Sequence, residues 1–331
     1  MLRRAGRDVG LIETRAMSPL PHRPLGTSGL EVSVFALGSW RTYERISREA
    51  GVAVLAQARA SGIDFLEVAR YNDESGSAPI PTGYSEVVFG EVFAASGWPR
   101  DEVTIATKLW WEFWPEQTAA QELRASLERT GLERFDFVYS DPPPPELPMV
   151  DVVGAVAALV SGGAVRAWGI VNWPAQRVAE AGRVAHELGV APPCAAQLPY
   201  SLISRDWVES AEMTAALQAC GAKVVASYVL AGGILTAKYA HPGATGRMAG
   251  ALDAPQWEAA VRAAAELRAL ATELETTPAV LAMAFALANR DVATILFGAT
   301  SPEQIRENVA AAEVAEALTE NQLARLRAIG G

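Results

Sequence analysis

From Val34 onward, short apolar runs alternate with segments of helical period, one pair roughly every 35 residues, as in successive βα units. The runs lie at residues 34–37, 64–68, 103–107, 135–140, 165–171, 195–198, 224–228 and 294–297. Most are rich in β-branched or aromatic residues and short enough to be buried staves of a parallel sheet. Between them the period changes to about 3.6. Val152, Val153, Val156, Leu159 and Val160 form one helical stripe, ended by Gly162 and Gly163. Leu123 and Leu127 mark another, closed by Gly131, and Ser47 is placed to cap a first helix whose Val54, Leu55 and Ala58 face inward. Eight alternations without a long break predict a closed α/β barrel of the (β/α)8, TIM-barrel type. The competitor is a doubly wound open sheet, but the Gly-rich fingerprint after a first strand is missing.

Two pieces fall outside the count. Gly26-Thr-Ser-Gly29, between two short runs in residues 22–33, predicts a β-hairpin ahead of the barrel. Residues 257–274 and 278–288 predict two extra helices before the last strand. Residues 22–331 therefore read as one barrel domain, and residues 1–21 as a loose extension, with Met17 an alternative start.

Composition narrows the function classes. The 331 residues carry a formal charge of −10 and no long basic run, which argues against a nucleic-acid partner. The longest purely apolar stretch, 279–288, is half a membrane span, and residues 1–23 hold arginines but no apolar signal core. Two cysteines, Cys194 and Cys220, suggest neither a disulfide scaffold nor a metal cluster and read as buried, reduced thiols. The histidines, His22, His186 and His241, fall in the N-terminal arm, a helix and a loop, which offers no metal triad. A soluble cytoplasmic protein is expected.

Chemistry in such a barrel sits where strands end and βα loops begin. Read in order, these junctions resemble the aldo-keto reductase superfamily, in particular its short-loop group related to potassium-channel β subunits. The opening Arg23-Pro-Leu-Gly-Thr-Ser-Gly-Leu-Glu-Val-Ser33 and Ala36-Leu-Gly-Ser-Trp40 carries the likeness. It continues in Gly83-Tyr-Ser-Glu86, Ile105-Ala-Thr-Lys108, Val165-Arg-Ala-Trp-Gly-Ile-Val-Asn172 and Leu230-Ala-Gly-Gly-Ile-Leu235. It ends in Phe297-Gly-Ala-Thr-Ser-Pro-Glu-Gln304 and Glu307-Asn308. Their order and spacing, more than any one motif, are specific.

The resemblance implies hydride transfer between a nicotinamide and a carbonyl or alcohol, with an Asp, Tyr, Lys and His group handling the proton. Lys108 matches the family's lysine; the alternative is a purely structural ion pair. Tyr71 matches its tyrosine, with Tyr84 a second candidate. In Glu67-Val-Ala-Arg-Tyr71 the gap is one residue shorter than the family's, and Glu67 stands where Asp is expected, one methylene longer. Residues 72–83 replace a tight loop. Asp141 aligns with the expected histidine, where a carboxylate opposes a developing oxyanion. Three states are open to it: protonated, paired with Lys108, or turned away before the proline run 142–145.

The resemblance also implies NADP(H), with NAD(H) less favoured. Asn172 and Gln197 match residues that hold the carboxamide, although Asn172 is also placed to cap a helix beginning at Pro174. Ser227 and Tyr228 stand exchanged relative to the family's stacking tyrosine, so that ring is either missing or supplied by Trp173. Leu230 and Gly232 lie on the loop expected near the pyrophosphate. Gly298, Thr300, Gln304, Arg306 and Asn308 open the helix expected near the adenosine, where Ser301, Pro302 and Gln304 also form a capping pattern. Trp40, Trp110, Trp111, Trp114 and Trp173 all follow predicted strands, as walls of an aromatic pocket or as packing under loops. The expected substrate is a carbonyl or alcohol with an aromatic or bulky apolar body. The runner-up is a catalytically weak NADP(H)-binding sensor of the same fold.

Overall fold

The computed structural model of the chain describes residues 19–74, 76–240, 248, 250, 252, 254 and 257–329. Most of the N-terminal extension and His241 lie outside the described residues. The eight apolar runs become eight strands: β3 (Phe35–Gly38), β4 (Phe65–Glu67), β5 (Thr104–Leu109), β6 (Phe137–Ser140), β7 (Ala167–Val171), β8 (Ala195–Pro199), β9 (Lys223–Ser227) and β10 (Val292–Phe297). All pair in parallel, each with the next in sequence, and β10 pairs with β3 to close the barrel.

Alternation along each strand sorts side chains into two cores. Phe65, Ala106, Phe137, Tyr139, Ala167, Val171, Ala195 and Val225 form one cluster, and Leu25, Leu30 and Val32 from the N-terminal hairpin join it. That hairpin, β1 (His22–Pro24) with β2 (Glu31–Ser33), is antiparallel and stands outside the barrel sheet. Leu37, Leu66, Ile105, Val138 and Ile170 take the opposite parity and belong to the larger cluster with the helices.

The helices begin and end where the chemistry of their termini predicts. Ser47 caps Arg48–Ala60 by accepting from the Ala50 amide, and Val54, Leu55 and Ala58 are buried. Ala119–Thr130 has a capping box from Thr118 and Gln121 and ends at Gly131, whose φ of 66° suits glycine. Met149–Ser161 buries Val152, Val153, Val156 and Leu159 and ends at Gly162. The two extra helices are Glu258–Glu273 and Pro278–Ala288. The second is apolar on every side because its residues 279–287 are all buried. No single described helix is long and apolar enough to cross a membrane.

Candidate active site

Strand parity carries four polar residues to the inner face at the C-terminal rim. Phe65 and Glu67 share a face of β4, Ala106 and Lys108 a face of β5, and Ala195 and Gln197 a face of β8. Asp141, one residue past β6, continues the parity of Phe137 and Tyr139. Buried charge at such positions is costly unless paired. Lys108, 6% exposed, meets Glu67, 2% exposed, at 3.0 Å. Tyr71 closes a triangle: Lys108 Nζ donates to its hydroxyl at 2.8 Å, and that hydroxyl donates to Glu67 Oε1 at 2.9 Å. The extra methylene of Glu67 and the shorter spacing to Tyr71 thus coexist with all three contacts. Tyr84 lies elsewhere, its hydroxyl accepting from Arg48 at 3.3 Å.

Burial, and then the Glu67 carboxylate, push the Tyr71 phenol well above its ordinary range, so it carries its proton at neutral pH. Asp141 is partly buried, and its backbone amide donates to Leu109 at 2.9 Å. Burial raises its carboxyl to about 6; Lys108 opposes that shift, and Glu122 and Glu67 reinforce it. The Lys108 ion pair within 4 Å goes to Glu67, not to Asp141. Of the three states open to Asp141, direct pairing is absent here, while the other carboxylates act on it through space.

Of the next rim residues, Gln197 presents an unmatched polar group. Gln197 is 7% exposed, and its Oε1 is buried without a hydrogen-bond partner. Asn172 is exposed and left-handed, with φ of 54°, a conformation asparagine tolerates better than most residues. It does not cap the following helix, Ala175–Leu188, whose N-cap is Pro174 without a side-chain bond. Tyr228, also left-handed at φ 58°, exposes its ring just past β9, and Ser227 ends that strand half-buried. Gly232 and Gly233, at φ 68° and 92°, shape the turn after Leu230. Past β10, Gly298 and Thr300 lead to the helix Pro302–Val309. Its capping is in place: Ser301 accepts from the Gln304 amide, and Gln304 accepts from the Thr300 amide at 2.8 Å. Arg306 is engaged by Gln57 at 2.7 Å and Glu303 at 2.6 Å, and Asn308 is buried.

The sequence profile of the Aldo/keto reductase family matches residues 35–330. The chain belongs to the aldo/keto reductase family. It is also 32% identical over 326 residues, 93% of this chain and 92% of the relative, to a Schizosaccharomyces pombe protein described provisionally as a voltage-gated potassium channel subunit beta. Members of the family are oxidoreductases that generally use NAD(P)H and act on small carbonyl compounds.

A nicotinamide group fits this rim. The orphaned Gln197 Oε1 is the acceptor that a carboxamide N–H needs, and a buried oxygen left unpaired is otherwise costly.

The five tryptophans of the aromatic wall divide. Trp40 and Trp110 flank Tyr71, with ring centroids at 6.3 and 5.7 Å, and Trp40 is 39% exposed. Trp114 is partly buried against the core. Two expectations need correction. Trp173 is fully buried, so it neither lines the mouth nor offers a stacking ring, and Tyr228 is the exposed ring on that side. Trp111 is 5% exposed, its indole N–H donating to Ser140 Oγ at 2.9 Å; left-handed backbone, φ 59°, goes with this inward placement.

Three residues in this neighbourhood are not singled out by sequence. Glu122, 5% exposed, accepts from the amides of Trp110 at 2.7 Å and Trp111 at 3.3 Å. Arg70, 4% exposed, ties Thr82 to Glu112 and lies over the rings of Trp110 and Phe113. Arg41 lies over Trp40, its guanidinium carbon 4.9 Å from the ring centroid. A basic residue directly before Tyr71 or after Trp40 is the only signal that pointed to the last two. Among the described residues, no group of His, Cys, Asp and Glu is arranged to hold a metal ion.

Proposed function

We propose that the chain is an NADP(H)-dependent oxidoreductase that moves hydride between the nicotinamide and a carbonyl or alcohol with an aromatic or bulky apolar body. The observation that carries this reading is the closed triangle of Tyr71, Lys108 and Glu67 at the rim, flanked by two tryptophans. Asn172, Gln197, Ser227, Tyr228, Leu230, Gly232, Gly298, Thr300, Gln304, Arg306 and Asn308 are the residues that would hold the cofactor, which supplies or takes up the hydride. Arg306 must exchange Glu303 or Gln57 for a ribose phosphate, a swap between exposed partners that costs little.

In reduction, Tyr71 gives its proton to the carbonyl oxygen, and the Lys108 ammonium stabilises the phenolate left behind. Glu67 holds Lys108 in place, and the phenol proton that it accepts at rest turns to the carbonyl oxygen when substrate binds. Burial of Glu67 and Lys108 keeps these bonds from being screened by water. Trp40 and Trp110 supply apolar walls next to the Tyr71 ring. The two free, buried cysteines suit a reducing compartment, in keeping with a cytoplasmic location.

The second reading, a slow NADP(H)-binding sensor, is favoured by the carboxyl group of Asp141 at the rim and by the name of the relative. Stopped-flow fluorescence of NADPH with a panel of aromatic and aliphatic aldehydes and ketones separates the two. Steady oxidation of NADPH by an aromatic carbonyl is the expected result. Binding without oxidation by any carbonyl would sink the enzyme reading and leave the sensor.

A further inference from the structure

Beside the triangle, the segment after β3 and the insertion 72–83 meet through charge. Glu74, on the insertion, pairs with Arg41 in a close contact and with Arg45 at 3.7 Å. Arg41 lies over one of the two rings that flank Tyr71, so one aromatic ring links its guanidinium to the ring of Tyr71. Its backbone is left-handed, φ 54°, a conformation unfavourable for a long side chain and retained only where the surroundings enforce it. Its Nε is buried without a hydrogen-bond partner, so Glu74 is met through the outer Nη2 nitrogen. Glu74 is the exposed member of the pair, with 41% of its side chain accessible against 28% for Arg41. An exposed carboxylate thus sits in a fork of two guanidiniums beside an aromatic wall.

We propose that Arg41 and Arg45 form an anion subsite that recognises a carboxylate on an aromatic substrate, and that Glu74 occupies it as an internal stand-in until the substrate arrives. The inference rests on the mouth beside Tyr71 being the substrate site, and it narrows that site's ligands to aromatic carbonyl compounds bearing a carboxylate. Three features agree with it. Exchange of one carboxylate for another leaves the local charge unchanged, so Arg41 and Arg45 are never stranded. Guanidinium binds carboxylate through two parallel bonds, a geometry a neutral substituent cannot supply. Trp40, 39% exposed, places an aromatic ring beside the fork, where an aromatic ligand can pack. Glu44 also faces Arg45, at 3.7 Å, but it is tied to the Thr42 amide, which leaves Glu74 as the carboxylate free to be displaced.

The test uses benzoate and benzamide, which differ in charge and share a ring, titrated into the full chain while tryptophan fluorescence is followed. Benzoate is expected to bind about tenfold more tightly than benzamide, the size of one good charge-assisted hydrogen bond. Glu74→Gln removes the competing charge and is expected to tighten benzoate severalfold while leaving benzamide unmoved. Arg41→Gln should abolish the preference. If the Arg41 pair were only a staple for the insertion, Glu74→Gln would lower thermal stability without tightening benzoate, and the proposal would fall. It would fall equally if the wild type bound the two probes alike. Neither titration needs turnover, so failure of every carbonyl to oxidise NADPH would overturn the reductase reading separately.

Discussion

Asp141 is the residue at which this chain departs most from the pattern that the family resemblance implies. With its carboxyl raised to about 6, it is neutral below that pH and anionic above it. In reduction, charge develops on the carbonyl oxygen, and an ionised Asp141 nearby opposes it. The reducing rate should therefore fall as pH rises through about 6, and the oxidising rate should rise over the same interval. Asp141→Asn keeps the shape, removes the charge and should flatten both limbs while NADPH affinity changes less than about tenfold. Stability follows the same group. The folded chain holds the Asp141 proton more tightly than the unfolded one, so its ionisation costs stability between about pH 4 and 6, and that cost is complete above pH 6. Calorimetry should find Asp141→Asn close to wild type at pH 4 and more stable at pH 8, by at most about 3 kcal/mol. A mutant whose two pH profiles match those of the wild type would place Asp141 outside the chemistry. The presence of a carboxyl at the end of β6 was legible in sequence; its choice among three states was not, because that depends on which of two acids reaches Lys108.

At the scale of elements, the strands were legible to within a few residues because most of each stave is apolar on both faces, with its polar residues near the ends. Loops were less so, since a residue's place just past a strand does not say where its side chain points. Trp110 and Trp111 are neighbours in sequence, yet one flanks Tyr71 and the other is buried with a hydrogen bond to Ser140. The helix Ala119–Thr130 shows the same limit. Its apolar stripe and glycine end were visible, but Glu122 reads as a surface residue because its partners are backbone amides. Glu122 is a clamp: its two oxygens take the N–H groups of Trp110 and Trp111 and hold the β5 loop beside the triangle. Glu122→Gln retains one acceptor and should cost about 1–3 kcal/mol of stability. Glu122→Ala leaves both amides unpaired, that of Trp111 buried, and should cost more, with altered near-ultraviolet circular dichroism as Trp110 loosens against Tyr71. An alanine variant within about 0.5 kcal/mol of wild type, with an unchanged spectrum, would show that the loop holds itself.

For the whole molecule, closure of β10 on β3 joins the last strand to the first and leaves the barrel interior to be filled by what the strands point inward. Toward the C-terminal rim, the inward positions carry Glu67, Lys108 and Gln197, charge and amide that cannot serve as packing. The apolar part of the interior is therefore short, and the N-terminal hairpin completes it: Leu25, Leu30 and Val32 share one cluster with Phe65, Phe137 and Val225. Gly26 makes that fit possible, since a Cβ there would lie 1.9 Å from the Cys194 carbonyl oxygen. Sequence revealed the hairpin by its glycines but not its role, because sharing a core with the barrel is a contact between distant segments. Leu25 is fully buried, and Leu25→Ala should destabilise by about 2–5 kcal/mol, the usual range for a large-to-small change in a rigid core. Since strands from around the barrel contribute to that cluster, the loss should appear as one cooperative transition at lower denaturant, with tryptophan fluorescence and far-ultraviolet circular dichroism moving together. Two separated transitions, or a loss below about 1 kcal/mol, would mean that the hairpin folds against the barrel without being part of its core.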